Sequence, residues 1–151
     1  MEFRKAKTSD AEKIHALVNE YAKQGLMLPR AVSQLYENIR DFTVAEDQGR
    51  FVGAGALHVF WEDLAEVRTM AVDPAYQRKG VGRQIVDHLL EDGAELGIKK
   101  VFTLTYQPEF FASCGFQLED KNNMPQKVWT DCINCPKFLN CDEICMARMI
   151  G

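Results

Sequence analysis

Ala65-Glu66-Val67-Arg68-Thr69-Met70-Ala71-Val72-Asp73-Pro74-Ala75-Tyr76-Gln77-Arg78-Lys79-Gly80-Val81-Gly82-Arg83 is the stretch whose reading decides the fold. Val67 to Val72 is rich in β-formers. Asp73-Pro74 stops the strand, because proline lacks an N–H and disfavours helical geometry in the residue before it. Beyond the glycines, Val81, Ile85, Leu89 and Leu90 recur at helical spacing. A basic, glycine-rich loop therefore sits at a helix N-terminus. The first-turn N–H groups have no partner within the helix, and the dipole favours an anion there. Glycines let the backbone close on phosphates without a side chain in the way. The spacing is not Gly-x-x-x-x-Gly-Lys-Ser/Thr, and a third glycine for the dinucleotide fingerprint is missing. It is Gln-x-x-Gly-x-Gly, with Arg78 and Lys79 in the variable positions.

Working outward, Glu2 to Ala6 reads as an opening strand. Ser9-Asp10-Ala11-Glu12 has capping-box spacing. Ile14, Leu17, Val18 and Tyr21 then mark an amphipathic helix that ends near Gly25. Leu26-Met27-Leu28-Pro29-Arg30 is an apolar loop with one cation, and Ser33 is a candidate cap for a short helix through Ile39. Phe42–Glu46 and Arg50–Phe60 read as strands around an Asp-Gln-Gly turn. After the central helix, which ends near Gly97, come a strand over Val101–Tyr106, a short helix from Pro108 to Ser113 and a closing strand over Ile144–Ile150. A central helix joining two parallel strands predicts a mixed α/β order. No repeat, linker or low-complexity stretch divides the chain, so one domain over residues 1–151 is expected.

A formal net charge of −4 argues against generic nucleic-acid binding, which needs a basic face. No apolar run is long enough to span a bilayer, and the N-terminus lacks a signal-peptide core. The expected home is the cytoplasm, away from membranes. Five cysteines, an odd number, fit poorly with a secreted disulfide framework. Cys132, Cys135, Cys141 and Cys145 have a zinc-capable composition. The second pair is spaced Cys-x-x-x-Cys, however, and buried thiols in a reducing compartment are the favoured reading, so no metal is expected.

With strand, Asp-Pro stop, loop and helix in register, the segment resembles the acetyl-coenzyme-A-binding motif of the GNAT acetyltransferase superfamily. Phe110-Phe111-Ala112-Ser113-Cys114-Gly115-Phe116 extends the likeness to the far end of the site, and the segment from about 120 to 143 fits least well. The resemblance implies a GNAT fold: a central twisted mixed sheet of about six to seven strands flanked by about four helices. It implies acetyl-CoA as co-substrate, held by Gln77, Arg78, Lys79, Gly80, Val81, Gly82 and Arg83. The backbone of Met70, Ala71 and Val72 would meet the pantetheine arm, and Phe111 would lie beside it.

Acetyl transfer to an amine needs a base, an oxyanion donor and an acid for the thiolate. Glu66 is the candidate base, acting through a water or by binding the ammonium group; a solvated glutamate paired to Arg68 is the alternative. In a regular strand residues 66, 68 and 70 share a face; a bulge here would disturb that count and free the Met70 N–H to face the thioester oxygen. Many relatives carry tyrosine where Phe111 stands. Tyr106 is therefore the candidate acid, with Ser113, Cys114 or solvent as substitutes.

Leu28-Pro29-Arg30, Leu35 to Phe42, Thr105 to Phe111, Lys127-Val128-Trp129 and Cys135-Pro136-Lys137-Phe138 together resemble short, stand-alone N-acetylglutamate synthase-like members. The implied reaction is acetylation of the α-amine of glutamate, toward arginine, in a ternary complex. Arg30, Arg68 and Lys127 are the candidate carboxylate binders, since arginine's fork suits that group. Nothing resembles the amino-acid-kinase-like domain of longer synthases, which leaves arginine feedback open, as is homodimer formation. Rival readings are another amine (glutamine, a polyamine or a protein N-terminus) or a coenzyme-binding regulator without activity.

Overall fold

The computed structural model describes residues 1–123 and 143–151. Seven strands form one sheet in the order β1-β2-β3-β4-β5-β7-β6. They are β1 (Glu2–Lys5), β2 (Phe42–Asp47), β3 (Arg50–Trp61), β4 (Leu64–Val72), β5 (Lys100–Thr105), β6 (Gln117–Leu118) and β7 (Ile144–Met149). Among the described residues only β4 and β5 run parallel. Four helices among the described residues flank the sheet: α1 (Ala11–Lys23), α2 (Val32–Glu37), α3 (Val81–Leu96) and α4 (Pro108–Ser113). A parallel pair needs a crossover connection, and α3 supplies it. This is the mixed α/β sheet with flanking helices that the sequence implies.

The helices lie against the sheet through two apolar clusters. Ile85, Val86 and Leu89 of α3 are fully buried against Val52, Ala65, Val67 and Val101. Ile14, Val18 and Tyr21 of α1 pack with Leu35 of α2 and with Val44, Ala54, Ala56 and Ala71. The helical spacing of those residues in α1 and α3 places them on one stripe each.

Both expected serine caps differ in detail. A 3-10 turn over Thr8–Asp10 precedes α1, and buried Asp10, not Ser9, stands at the cap position, without a side-chain bond into the helix. Its Oδ2 accepts from the Lys7 N–H at 2.7 Å, and Arg4 donates to both carboxylate oxygens at 2.8 and 2.9 Å. The carboxylate thus fixes the turn that leads into α1 through a charge-assisted pair with Arg4. The Arg4 guanidinium holds the Asp10 carboxyl below its usual range, with the Lys7 N–H helping against burial. Ser33 lies inside α2, whose first residue follows Ala31, and the Gln34 side chain accepts from the Ala31 N–H at 3.1 Å.

Strand β4 is the decisive irregularity. Ala54 opposes Ala71 and Ala56 opposes Arg68, so Gly55 faces two residues, Thr69 and Met70. Thr69 takes a left-handed φ of 58°, costly for a β-branched residue. The bulge shifts the strand's phase by one. Ala65 and Val67 face α3, and beyond Thr69 it is Met70 and Val72 that face that side. The regular-strand expectation is thereby corrected: Glu66 and Arg68 share their face with Ala71, not with Met70. Gly55 makes room for the change, since a Cβ there would come within 2.2 Å of the Met70 sulfur.

Candidate active site

The parallel pair is short. β4 and β5 are in register only at Leu64–Lys100, Ala65–Val101 and Glu66–Phe102. Past that point the strands part, and the buried Thr103 hydroxyl donates to the Val67 carbonyl at 2.8 Å. The gap opens at the carboxyl ends of the two strands, the usual ligand position in sheets with helical crossovers. It continues as a cavity of about 990 Å³ whose lining runs from Leu26–Arg30 across Glu66–Val72 to Gly80–Arg83 and Thr103–Gln107.

At one end lies the glycine loop. Arg78 has φ 63° and Gly80 has φ 80°, so the chain turns back on itself before α3. Nothing lies within 4 Å of a Cβ built on Gly80, whereas one on Gly82 would meet the Phe110 ring at 3.2 Å. The two glycines thus serve different ends. Gly80 permits a backbone conformation that other residues resist. Gly82 admits the α4 aromatic against the start of α3. Gln77, Arg78, Val81 and Arg83 line the cavity with them. Lys79 does not line it; its ammonium lies 5.3 Å from the Tyr76 ring centroid, a cation–π distance.

Tyr21 ties this end to α1. Its hydroxyl donates to the Val72 carbonyl and accepts from the Gln77 amide. Burial raises the Tyr21 phenol above its ordinary value, which keeps the donor proton in place. The Leu26 N–H donates to the Tyr21 carbonyl at 3.1 Å, so one residue links the glycine loop to the apolar loop that carries Arg30. From sequence Tyr21 reads only as a member of the α1 apolar stripe; its hydroxyl is the signal that a purely apolar position would not need.

At the other end Glu66 is 8% exposed and lines the cavity with Arg30 and Arg68. An Arg68 guanidinium nitrogen lies 3.6 Å from Glu66 Oε1. Met70, Ala71, Val72, Tyr106 and Phe111 also line it, and Phe111 is buried in the α3-side core. Ser113 lines the cavity, with its hydroxyl donating to the Phe110 carbonyl. Cys114 packs into the core instead, where burial raises its thiol. Burial also pushes the Cys145 thiol up, to about 11. Lys127, Cys132, Cys135 and Cys141 lie outside the described residues. Among the described residues no three metal-ligating side chains cluster.

A cleft where a bulged strand parts from its parallel neighbour, with a glycine loop opening the crossover helix, defines an acyl-coenzyme-A-dependent transferase. Residues 11–116 match the model of the acetyltransferase (GNAT) family, and the chain belongs to that family. It is 47% identical over 151 residues to an amino-acid acetyltransferase of Mycobacterium tuberculosis, spanning 98% of this chain and 79% of that one. The fold matches a Mycobacterium tuberculosis protein solved with CoA and NLQ, at TM-score 0.86 and 35% identity over the whole of both chains. It also matches the N-acetylglutamate synthase of Neisseria gonorrhoeae complexed with coenzyme A and N-acetyl-glutamate. There the TM-score is 0.91 at 27% identity, over 99% of this chain and 35% of that one. The protein is an acetyl-CoA-dependent N-acetyltransferase related to enzymes that act on amino acids.

Proposed function

We propose that the chain moves the acetyl group of acetyl-CoA to the α-amine of L-glutamate, as a cytoplasmic step toward arginine. The observation that carries this reading is the company of Glu66. One carboxylate and two arginines, Arg30 and Arg68, line a cavity whose far end is the glycine loop. A dicarboxylic amino acid presents one amine and two anions, which is the complement of that set. A polyamine would ask for acids where Arg30 and Arg68 stand.

The glycine loop holds the pyrophosphate of the co-substrate through the first-turn N–H groups of α3, with Arg78 and Arg83 adding charge. The ring of Phe110 against Gly82 sets α4 along the same arm. The left-handed turn at Thr69 takes the Met70 side chain to the α3 side, which supports the Met70 N–H as the donor to the thioester oxygen. Glu66 accepts a proton from the substrate ammonium, directly or through a water. The neutral amine then forms the C–N bond as the C–S bond breaks; the thiolate takes a proton from Tyr106, and the second proton released by the new amide nitrogen restores the Tyr106 hydroxyl. Transfer is direct, in a ternary complex. Among the described residues the two cysteines, Cys114 and Cys145, are buried with raised thiols, and neither lines the cavity to act as an acyl carrier.

A steady-state screen of amino acids and polyamines with acetyl-CoA tests the reading. Glutamate should give the highest kcat/KM. A preference for spermidine or a peptide N-terminus would overturn the acceptor assignment and leave the coenzyme end standing.

A further inference from the structure

A second, smaller chamber of about 250 Å³ opens beside the main cavity, and the two share Arg30, Gln34, Arg68 and Thr69. Its far wall is made by Asn38, Asp41 and His58. His58 Nδ1 lies 2.8 Å from Asp41 Oδ2, and each side chain is a little over a quarter exposed. His58 is also the cross-strand partner of Glu66 in the β3–β4 ladder, on the same face of the sheet. The ring edge packs on Phe60, with centroids 5.0 Å apart. Asp41 and Phe60 thus fix the plane of the imidazole, and Nδ1 is committed to the carboxylate. Nε2 is the nitrogen left for a ligand.

We propose that this chamber receives the side chain of the acceptor amino acid, and that His58, oriented by Asp41, reads its terminal carboxylate. The inference rests on the amino-acid acceptor reading above and extends it to a residue outside that set. Reach decides which arm of the acceptor enters. With the amine at Glu66, the α-carboxylate is one carbon away and stops at the mouth, where Arg30 and Arg68 stand. The terminal carboxylate of glutamate is two methylenes farther and passes into the chamber. Charge agrees. Arg30 and Arg68 line the chamber together with Asp41 and Glu37, so its formal charges balance and leave room for an anion that gains its own donor. A substrate carboxylate needs a donor at Nε2, and Asp41 accepts at Nδ1 on the other side. Both ring nitrogens then donate, one to Asp41 and one to the substrate. Asp41 is the positioning residue of the pair.

The test compares glutamate with glutamine, which has the same shape without the terminal charge, in the full chain with acetyl-CoA. In His58→Leu the ratio of kcat/KM for glutamate over glutamine should fall about tenfold, since charge-assisted bonds outweigh neutral ones. Asp41→Asn keeps an oxygen for Nδ1 but removes the charge, and should lower the same ratio by a smaller factor. Equal losses on both acceptors in both variants, with the ratio unmoved, would overturn the inference while the acceptor reading stands. Failure of the unaltered protein to acetylate either amino acid would overturn both.

Discussion

The two ends of the cleft are built in opposite ways. The coenzyme end is nearly contiguous: Met70 to Val72, Gln77 to Arg83 and the start of α3 follow one another in the chain. The proposed acceptor end is assembled from four separate places. Arg30 comes from a loop after α1, Asp41 from a turn before β2, His58 from β3, and Glu66 with Arg68 from β4. A local motif carries its own geometry in its turn residues. A composite site has none until the sheet register sets which residues stand side by side. A substitution in the first kind of site disturbs one connected turn, and the second can be altered one residue at a time. The bulge at Thr69 is the joint between them, because it turns Glu66 and Arg68 to the acceptor side and Met70 to the other.

The comparison can be broken by variants that should damage one end and spare the other. Glu66→Gln is expected to have the largest effect. It keeps shape and removes the base, so kcat should fall by about 10²–10⁴ with acetyl-CoA affinity intact. Wild-type kcat across the pH range, measured by thiol release, would remove Glu66 from the mechanism.

Arg30→Lys should come next. It keeps the charge but loses the fork, raising the KM for glutamate by about ten- to a hundredfold while the KM for acetyl-CoA holds. A rise in both constants would mean that the apolar loop supports the whole cleft and does not read the acceptor alone.

Gly80→Val addresses the opposite end. Space for the side chain exists, but φ 80° does not suit it. The free loop should relax, and binding must then restore a conformation costing roughly 1–2 kcal/mol, so the Kd for coenzyme A should rise about tenfold by calorimetry. An unchanged Kd would show that the left-handed turn is not part of the binding conformation.

Asp10→Asn leaves both ends in place and should act on stability alone. The Asp10 carboxyl is lowered in the folded state, first by the Arg4 hydrogen bonds. Its contribution is therefore present above the unfolded carboxyl value, about 3.9, and is lost as the pH falls through the lower folded value. Near neutrality the variant should lose roughly 3 kcal/mol in urea unfolding, the order expected for breaking a buried ion pair. The gap between the two proteins should close as the pH falls well below 4; a constant gap would mean that Asp10 acts by packing rather than charge.

Much of this architecture was legible before any coordinates. The Asp73-Pro74 stop, the Gly80 turn and the spacing of Val81, Ile85 and Leu89 are short-range signals, and each predicted element stands within a residue or two of its place. The two helix starts depart from the serine pattern because Asp10 pairs with Arg4 in the preceding turn and Gln34 reaches back to Ala31, contacts that hydroxyl preference does not anticipate.

Sequence alone determined the strand–loop–helix unit, the family it resembles and the residue types available for transfer to an amine, because turn chemistry and hydrophobic period act over a few residues. Tertiary structure decided the rest. A bulge needs a partner strand before it has a meaning, so the separation of Glu66 from Met70 exists only once Gly55 lies beside Thr69. Tyr21 meets Gln77 and His58 meets Asp41 through packing across the sheet, where distance along the chain carries no information about distance in space.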